Sequence, residues 1–419
     1  MPNITNYGTY TGAVKINSNL VMGGLFNMVI SQQVFADNIK GTYSELVDEA
    51  RVDGTLYGDT KLYYATDVLK SRPFLGDSEA ANLLAINRPK TPEVQAITMD
   101  VFRQIDITVD NYLSKQAFAT ADAFSSFTSV ILGWIRETKK VYDSTTYNSY
   151  IGTTESSVQG AHEIDISTAR GNASSELEAD RLEALEVAKS LANLIDDMKD
   201  ISRNYNDYKF LRSYNEDDLV IVISTTFANK LTKFDLPTIY HKEGVDITKM
   251  CKKIPARYFG TVLTSSNLKT YATGTAYSAG DFIYDGTGLK VYKVTADIAG
   301  ASNTALSDVT KVEQVVRSTV EKDVTISETT THVFAGDQIP TSSTIGSTSV
   351  NFLYGEVYVE DANKIGVVMH KRSLPYMSAF EVGTSFFNPR SLTENHYLTF
   401  GHNTLEYLKN YPFLVLKKS

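Results

Sequence analysis

The sequence is poor in the residues that usually mark secretion or chemistry. It has a single cysteine, Cys251, which rules out an internal disulfide and reads as a small, partly buried thiol. Its one tryptophan leaves little for the ring-stacking sites that bind sugars. No stretch approaches the roughly 18 consecutive apolar residues of a membrane-spanning helix. The opening "MPNITNYGTYTG" has neither the basic patch nor the apolar run of a signal peptide, so a soluble chain used in the cytoplasm where it is made is expected. Basic residues are also in deficit. Lys plus Arg is 40 against 49 Asp plus Glu, a net charge of −9, which argues against a dedicated nucleic-acid binder that works by neutralising phosphates.

Catalytic patterns are missing as well. There is no Gly-Lys-Ser/Thr phosphate loop, no His-Glu-x-x-His pair and no Gly-x-Ser-x-Gly elbow. "HEID" (162–165) begins like a zinc motif but lacks the second histidine. His396 and His402 lie close together without an evident third ligand. "DFIYDGTG" (281–288) offers Asp281 and Asp285 without the spacing or terminal Glu of a calcium loop. Adjacent acids such as "IDDMKD" are the solvated faces expected of an acid-rich chain. The densest basic spots, "CKKIPARY" and "MHKRS", form no continuous stripe. No catalytic residue, metal site or cofactor is assigned.

Apolar residues make up 42% of 419 positions, and 25 Tyr and 19 Phe stand against the lone Trp. That composition fills a sizeable core, and tyrosine, with its apolar body and polar tip, suits surfaces that become interfaces. Residues 1–37 read as an irregular arm, followed by a short helix in 38–52 with Leu46, Val47 and Ala50 on one face. In 66–112 the chain runs out and back, with Pro89 and Pro92 at the tip of a hairpin. Its return strand has the clearest β pattern in the chain. Ile97, Met99, Val101, Ile105, Ile107 and Val109 share one parity, and Asp106, Thr108 and Asp110 the other. Extended from 94 to 110 it spans on the order of 50 Å, and a two-stranded ribbon of that length needs support from its own domain or a neighbour.

A long helix is expected over 119–151. Its apolar face is Phe124, Phe127, Ile131, Trp134, Val141 and Ile151, with Thr138 and Thr145 in the gaps. Ser125, Arg136, Lys139, Lys140 and Asp143 lie opposite. Gly133 costs about 1 kcal/mol there relative to Ala, which suggests a close-packed neighbour. A second helix, 174–202, starts at a Ser174 or Ser175 cap with Glu176 and Glu178 in its first turn, and its stripe is Leu185, Ala188, Leu191, Ile195 and Met198. "DDLVIVIST" (217–225) reads as a central buried strand, and "TFANKLTKF" as a short helix. Residues 266–316, rich in Gly, Ala, Thr and Tyr, read as short strands and tight turns.

The element order is arm, long hairpin, long helix, mixed α/β region and a return to strands. Four stretches carry a textual likeness: "TVDNYLSKQAF" with the helix after it, "NYNDYKFLRSYNEDDLVIVIST", "KFDLPTIYHKEG" and "FFNPRSLTENHYLTFGHNTLEYLKNYPFLVLK". On these the chain resembles the major capsid proteins of tailed, short-tailed bacteriophages, an α+β fold of the Hong Kong 97 type. The resemblance implies an N-terminal arm (1–65) and an extended loop (66–112) lying across an adjacent subunit. It implies a peripheral domain (113–165 and 375–419) built on a spine helix, and an axial domain (166–265 and 317–374). The 266–316 stretch would be an inserted small β-domain.

It further implies hexamers and pentamers of the chain closing into an icosahedral shell around double-stranded DNA. A separate scaffolding protein and a portal protein would be partners, with assembly in the host bacterial cytoplasm. The net negative charge suits a wall that does not stick to the DNA inside. Expected intersubunit contacts are Arg88, Pro89, Lys90, Ile97, Met99, Arg103, Arg136, Lys139 and Lys140. Tyr271, Tyr277, Tyr284 and Tyr292 are candidate ligand contacts on the inserted module. Two alternatives stand beside this reading: a tail or fibre component, and a glycan-active enzyme carrying a sugar-binding insertion.

Overall fold

A strand that is apolar at every position, as "LVIVIS" is from Leu219 to Ser224, can be buried only if both its faces are covered. The structure, a computed structural model, describes residues 44–53, 60–73, 86, 88–110, 121–233, 251–264, 266–285, 290–294, 296–300, 312–313, 317–326, 329–339, 355–378 and 381–419. The arm expected over 1–37 lies outside them.

In chain order, α1 (Ser44–Glu49) leads into β1 (Arg51–Asp53), β2 (Thr60–Ala65) and the long β3 (Glu93–Asp110). Next come α2 (Ala121–Thr153), β4 (Ala161–Ile164), α3 (Ile166–Gly171), α4 (Glu176–Lys199), β5 (Leu219–Ser224) and α5 (Thr225–Lys233). Then follow β6 (Cys251–Ile254), β7 (Gly260–Val262), β8 (Leu268–Thr270), β9 (Phe282–Asp285), β10 (Lys290–Val294) and β11 (Val312–Glu313). The chain continues through β12 (Arg317–Ser318), β13 (Lys322–Ile326), β14 (Thr329–Val333), β15 (Val357–Glu360) and β16 (Lys364–His370). It ends in β17 (Tyr376–Ser378), β18 (Val382–Asn388), β19 (Thr393–Asn403) and β20 (Phe413–Lys418).

One large sheet has the order β4-β20-β16-β5-β6. Leu219, Ile221 and Ile223 of β5 pack on one face under α4, through Val187, Leu191 and Ile195. Val220 and Val222 face the other way, against Tyr147 and Ile151 of α2 and Leu46 and Val47 of α1. The sequence reading groups β20 with the peripheral strands. It pairs with β4, expected in the same unit, and with β16, expected in the axial unit, because "FLVL" is apolar on both sides and this doubly covered sheet buries it.

The second sheet has the order β1-β17-β19-β3-β2, with β18 added on β19. The expected parity of β3 is plain in its burial: Ile97, Met99 and Val109 are buried, and Thr98, Asp106 and Thr108 exposed. Its pairing differs from a ribbon confined to 66–112. β2, which lies before that stretch, pairs with Glu93 to Thr98, and β19 pairs with Met99 to Asp110. The apolar face of β3 runs almost its whole length, and six residues of β2 cannot cover eighteen.

α2 has 33 residues, roughly 50 Å of helix, and it bridges the two sheets. Ile135 and Tyr142 pack on Leu398 and Phe400 of the second sheet, while Tyr147 and Ile151 pack on the first. Of the expected face Ile151 is buried, but in the middle of the helix the buried side is rotated from it. Trp134, Thr138, Val141 and Thr145 are only half-buried, and the side chains of Phe124, Phe127 and Ile131 lie outside the described residues. Asp143, assigned to the solvent face, is 3% exposed.

The carboxylate of Asp143 explains the rotation. Lys139 Nζ donates to Oδ2 from one turn back at 2.9 Å, Arg51 Nη2 from β1 reaches the same oxygen at 3.2 Å, and Tyr376 Oη from β17 donates to Oδ1 at 2.6 Å. Beside it, Tyr142 Oη meets His402 Nε2 at 2.7 Å, and His402 Nδ1 meets the Asn403 carbonyl at 2.7 Å. A carbonyl only accepts, so Nδ1 carries the proton and Nε2 accepts from Tyr142. Burial holds the His402 pKa below its usual value.

α4 begins as expected at Ser175, whose side chain accepts from the Glu178 amide at 3.3 Å. Ala188, Leu191, Ile195 and Met198 are inside, but Leu185 is 44% exposed, with Ala184 and Val187 in its place. β8 to β11 form a four-stranded sheet around a small cluster of Tyr277, Ile283, Val294 and Ile298.

The close approach expected at Gly133 occurs elsewhere. Nothing lies within 4 Å of a Cβ at Gly133, whereas one at Gly152 would collide with the Tyr258 carbonyl oxygen. Gly133→Ala should raise stability by up to about 1 kcal/mol, and Gly152→Ala should lower it by about 1–3 kcal/mol. Denaturant midpoints of the two variants, moving in opposite directions, check this pair. Asp143→Ala removes the acceptor of the buried Tyr376 hydroxyl and the nearest counter-ion of Lys139 and should cost about 3 kcal/mol. Asp143→Asn, which still accepts from Tyr376, should cost less in the same measurement.

Candidate functional site

Past Ala65 the chain leaves β2 for the stretch expected to project, and Asp67 fixes its point of departure. Asp67 Oδ1 accepts from the Leu211 amide at 3.0 Å and from the Val68 amide at 2.9 Å, and Oδ2 accepts from Arg203 Nη1 at 2.7 Å. These donors, the Leu211 amide foremost and then Arg203, hold the carboxyl down to about 2. Arg212 Nη2 donates to the Thr66 carbonyl at 2.5 Å, and Lys90 lies over the Phe210 ring at 5.1 Å. Both limbs of the loop are thus anchored on 203–212, held in shape by Asn206, which exchanges side-chain hydrogen bonds with the Phe210 backbone at 2.7 and 2.8 Å. Sequence reading missed this clamp, because a lone Asp in a polar stretch gives no periodic signal.

The expected intersubunit residues separate into two groups. Arg88, Pro89, Lys90, Arg136 and Lys140 are exposed. The others are committed within the chain. Ile97 and Met99 are 2% and 0% exposed and pack with Met377 and Leu408, so they have no surface to offer; their parity faces the core. Arg103 donates to the Glu321 carbonyl at 2.7 Å and lies over Tyr142 at 5.3 Å. Lys139 serves Asp143, with Glu381 at 3.7 Å.

The tyrosines of the small sheet are not a ligand platform as a group. Tyr277 is 3% exposed, and its hydroxyl accepts from the Ala272 amide at 2.9 Å and donates to the Thr270 carbonyl at 3.3 Å, so it is a core residue. Tyr271 stacks on it with ring centroids 6.3 Å apart. Tyr284 and Tyr292 sit on neighbouring strands, opposite Val291 and Ile283, and their side chains lie outside the described residues.

The weaker chemical patterns resolve into structural roles. His162 Nε2 meets Ser190 Oγ at 2.7 Å, and Asp165 caps α3 through the Thr168 amide. Asp281 pairs with Lys269 at 2.6 Å and accepts from the Ser278 amide at 3.0 Å, while the Asp285 side chain lies outside the described residues. His402 is engaged as described above, and His396 lies opposite Ile107 and Ser385 in the second sheet. No group of His, Cys, Asp and Glu able to hold a metal ion occurs among the described residues. Burial pushes the Cys251 thiol up to about 12. A cavity of about 400 Å³ beside α5 is lined by Glu183, Lys230, Lys364 and Lys418 among others. Three of these four charges are answered in place: Glu183 by Arg170 at 2.6 Å and Lys230 at 3.3 Å, and Lys364 by Glu155 at 2.6 Å.

β18 is a further surface that the sequence did not single out. Six of its seven residues are exposed and the seventh is half-buried; Phe386 is 63% and Phe387 47% exposed. It pairs with β19 alone among the described residues.

Two sheets bridged by one long helix, a chain departure clamped at Asp67 and, among the described residues, an unpaired edge on β18 are features of a building block. That is the class of a structural subunit. The model of the Phi29-like phage major capsid protein family matches residues 2–416, and the chain belongs to that family. Its fold is similar to that of a chain in the capsid structure of Staphylococcus phage Andhra, with TM-score 0.50 and 12% identity, over 88% of this chain and 83% of that one. A chain in the structure of the head fibre and inner core protein of native bacteriophage P68 gives TM-score 0.50 and 10% identity over the same shares. At such identities the likeness is one of fold. No curated protein matches the sequence significantly.

Asp67→Ala should free the loop while leaving both sheets folded. Limited trypsin digestion at Lys70 and Arg72 should speed up several-fold, with little change in the unfolding midpoint. Because the folded Asp67 pKa is depressed to about 2, the clamp is at full strength above the unfolded carboxyl pKa of about 3.9 and is lost as pH falls toward 2. The rate of cleavage by an acid-active protease at pH 2 and pH 5 reads that release.

Proposed function

We propose that this phage coat protein forms hexameric and pentameric rings that close into an icosahedral shell around double-stranded DNA. The extended loop, leaving its clamp at Asp67, lies across an adjacent subunit and offers Arg88, Pro89 and Lys90 to it. Arg136 and Lys140 on the outer side of α2 face further neighbours. A separate scaffolding protein and a portal protein take part in assembly, which occurs in the host bacterial cytoplasm, and the finished protein resides in the virion. The domain reading is kept as part of the proposal: arm, extended loop, peripheral unit on α2, axial unit on the β5 sheet, and the β8–β11 sheet as a surface module. The observation that carries the reading is the family match over nearly the whole chain. Many copies make the design economical, since each contact can be modest when a subunit must break several to leave, and closed symmetry limits the particle to a finite size.

The loop is tested by deletion, and the structure sets the limits. Removing 83–105 would excise thirteen of the eighteen residues of β3, including buried Ile97 and Met99, and would report only unfolding. Removing 70–90 spares Asp67, β2 and β3. That variant should keep the parent's circular dichroism and melting curve yet yield no closed particles by negative-stain microscopy, where the full chain with its scaffolding protein does. Normal shells from the deletion variant would overturn the role given to the loop.

A further inference from the structure

We propose that β18 pairs with the β18 of a second copy, antiparallel about a two-fold axis at Ser385, so that one sheet continues across two subunits. The proposal rests on the shell reading for the presence of neighbours and specifies one of their contacts.

An open strand edge presents a row of backbone donors and acceptors, and monomeric proteins blunt such edges with charge, proline or a covering element. The stretch from Val382 to Asn388, "VGTSFFN", has none of these within it. It carries two exposed phenylalanines that a solitary protein would keep covered.

The sequence of β18 is complementary to itself. With Ser385 on the axis, Thr384 faces Phe386, Gly383 faces Phe387 and Val382 faces Asn388 of the other copy. An aromatic ring across from a strand glycine is a stabilising pair, and open space waits for it: nothing lies within 4 Å of a Cβ at Gly383. Gly383 and Ser385 also line a cavity of about 430 Å³ between this sheet and α2, with Arg136 and Glu381 at its side, and the partner's Phe387 would close its mouth.

Charge selects the direction. Glu381 precedes the strand and Arg390 follows it, both exposed. Antiparallel pairing brings the Glu381 of each copy toward the Arg390 of the other at both ends. Parallel pairing would set like charges together. Pairing of opposite charges across strands is favourable and of like charges unfavourable.

The test uses assembled shells. Directly opposed residues of an antiparallel pair lie about 4.5–5.5 Å apart at Cα, inside the range a disulfide spans. Ser385→Cys shells, oxidised and run without reductant, should therefore give covalent dimers. Thr384→Cys shells should stay monomeric, since residue 384 would lie about 7–8 Å or more from its counterpart. Native Cys251, half-buried with its thiol pushed up to about 12, is a poor competitor. Glu381→Arg should reduce shell yield at least tenfold, and adding Arg390→Glu should restore it, which a mere folding defect would not allow. Intact Ser385→Cys shells whose subunits stay monomeric after oxidation would overturn the strand pairing and leave the shell reading standing. Failure of the double charge swap to recover the yield lost by Glu381→Arg would overturn the antiparallel direction.

Discussion

A carboxylate at the junction of a helix and two sheets has to be answered by its neighbours, and Asp143 is answered from three parts of the chain. Lys139 reaches it from one turn back in α2, Arg51 from β1, and Tyr376 from β17. The carboxylate lies midway between the two places where α2 is fixed, Ile135 and Tyr142 on one sheet and Tyr147 and Ile151 on the other. The apolar contacts hold the helix down, but apolar contacts are non-directional and would tolerate some rotation. The hydrogen bonds from Arg51 of β1 and Tyr376 of β17 would not. Asp143 therefore fixes the rotation of α2 on the second sheet.

Parity is the reason β3 was legible in the sequence, and an unbroken apolar run the reason β5 was. A strand period of two admits only two registers, and residues such as Ile97, Met99 and Val109 leave no choice between them. The Ser175 cap and most of the α4 stripe were legible for a similar reason, since local capping chemistry and a run of aliphatic residues agree. The face of α2 was not. Its buried side includes Ile135, Tyr142, Asp143, Tyr147 and Asn148, and a reading that counts Tyr as neutral and Asp as outward turns the helix toward Trp134 and Val141. Leu185 fails by the same logic in reverse, because the smaller Ala184 fits against the neighbouring elements and leaves the leucine outside. Long-range partners were beyond reach altogether: the Asp67 clamp joins residues 144 positions apart.

The pairing of β3 also relocates the question of what a neighbour must supply. A strand of 18 residues in a two-stranded ribbon would need outside help. With β2 and β19 beside it, this one is covered at both ends of its length within its own chain. The elements left wanting are shorter: the loop beyond Asp67, with Leu69 at 79% exposure and Ile86 at 80%, and the edge of β18 with Phe386 and Phe387. The contacts proposed above thus fall on short exposed pieces held on a stiff frame.

This division suits a subunit that must be folded before it assembles. If β3 or α2 depended on a neighbour, the free chain would expose their long apolar faces and aggregate. Among the described residues, the apolar face of β3 and the second half of α2 are buried within the chain, and a strand edge and a few side chains are left exposed to other molecules. An interface built from such pieces is weak one at a time, so a misplaced subunit can leave and a correctly placed one is retained by several contacts at once. Rigidity in the frame and modesty at the edges are then one requirement. The frame fixes geometry strictly enough for a closed particle, and the edges are light enough that errors do not become permanent.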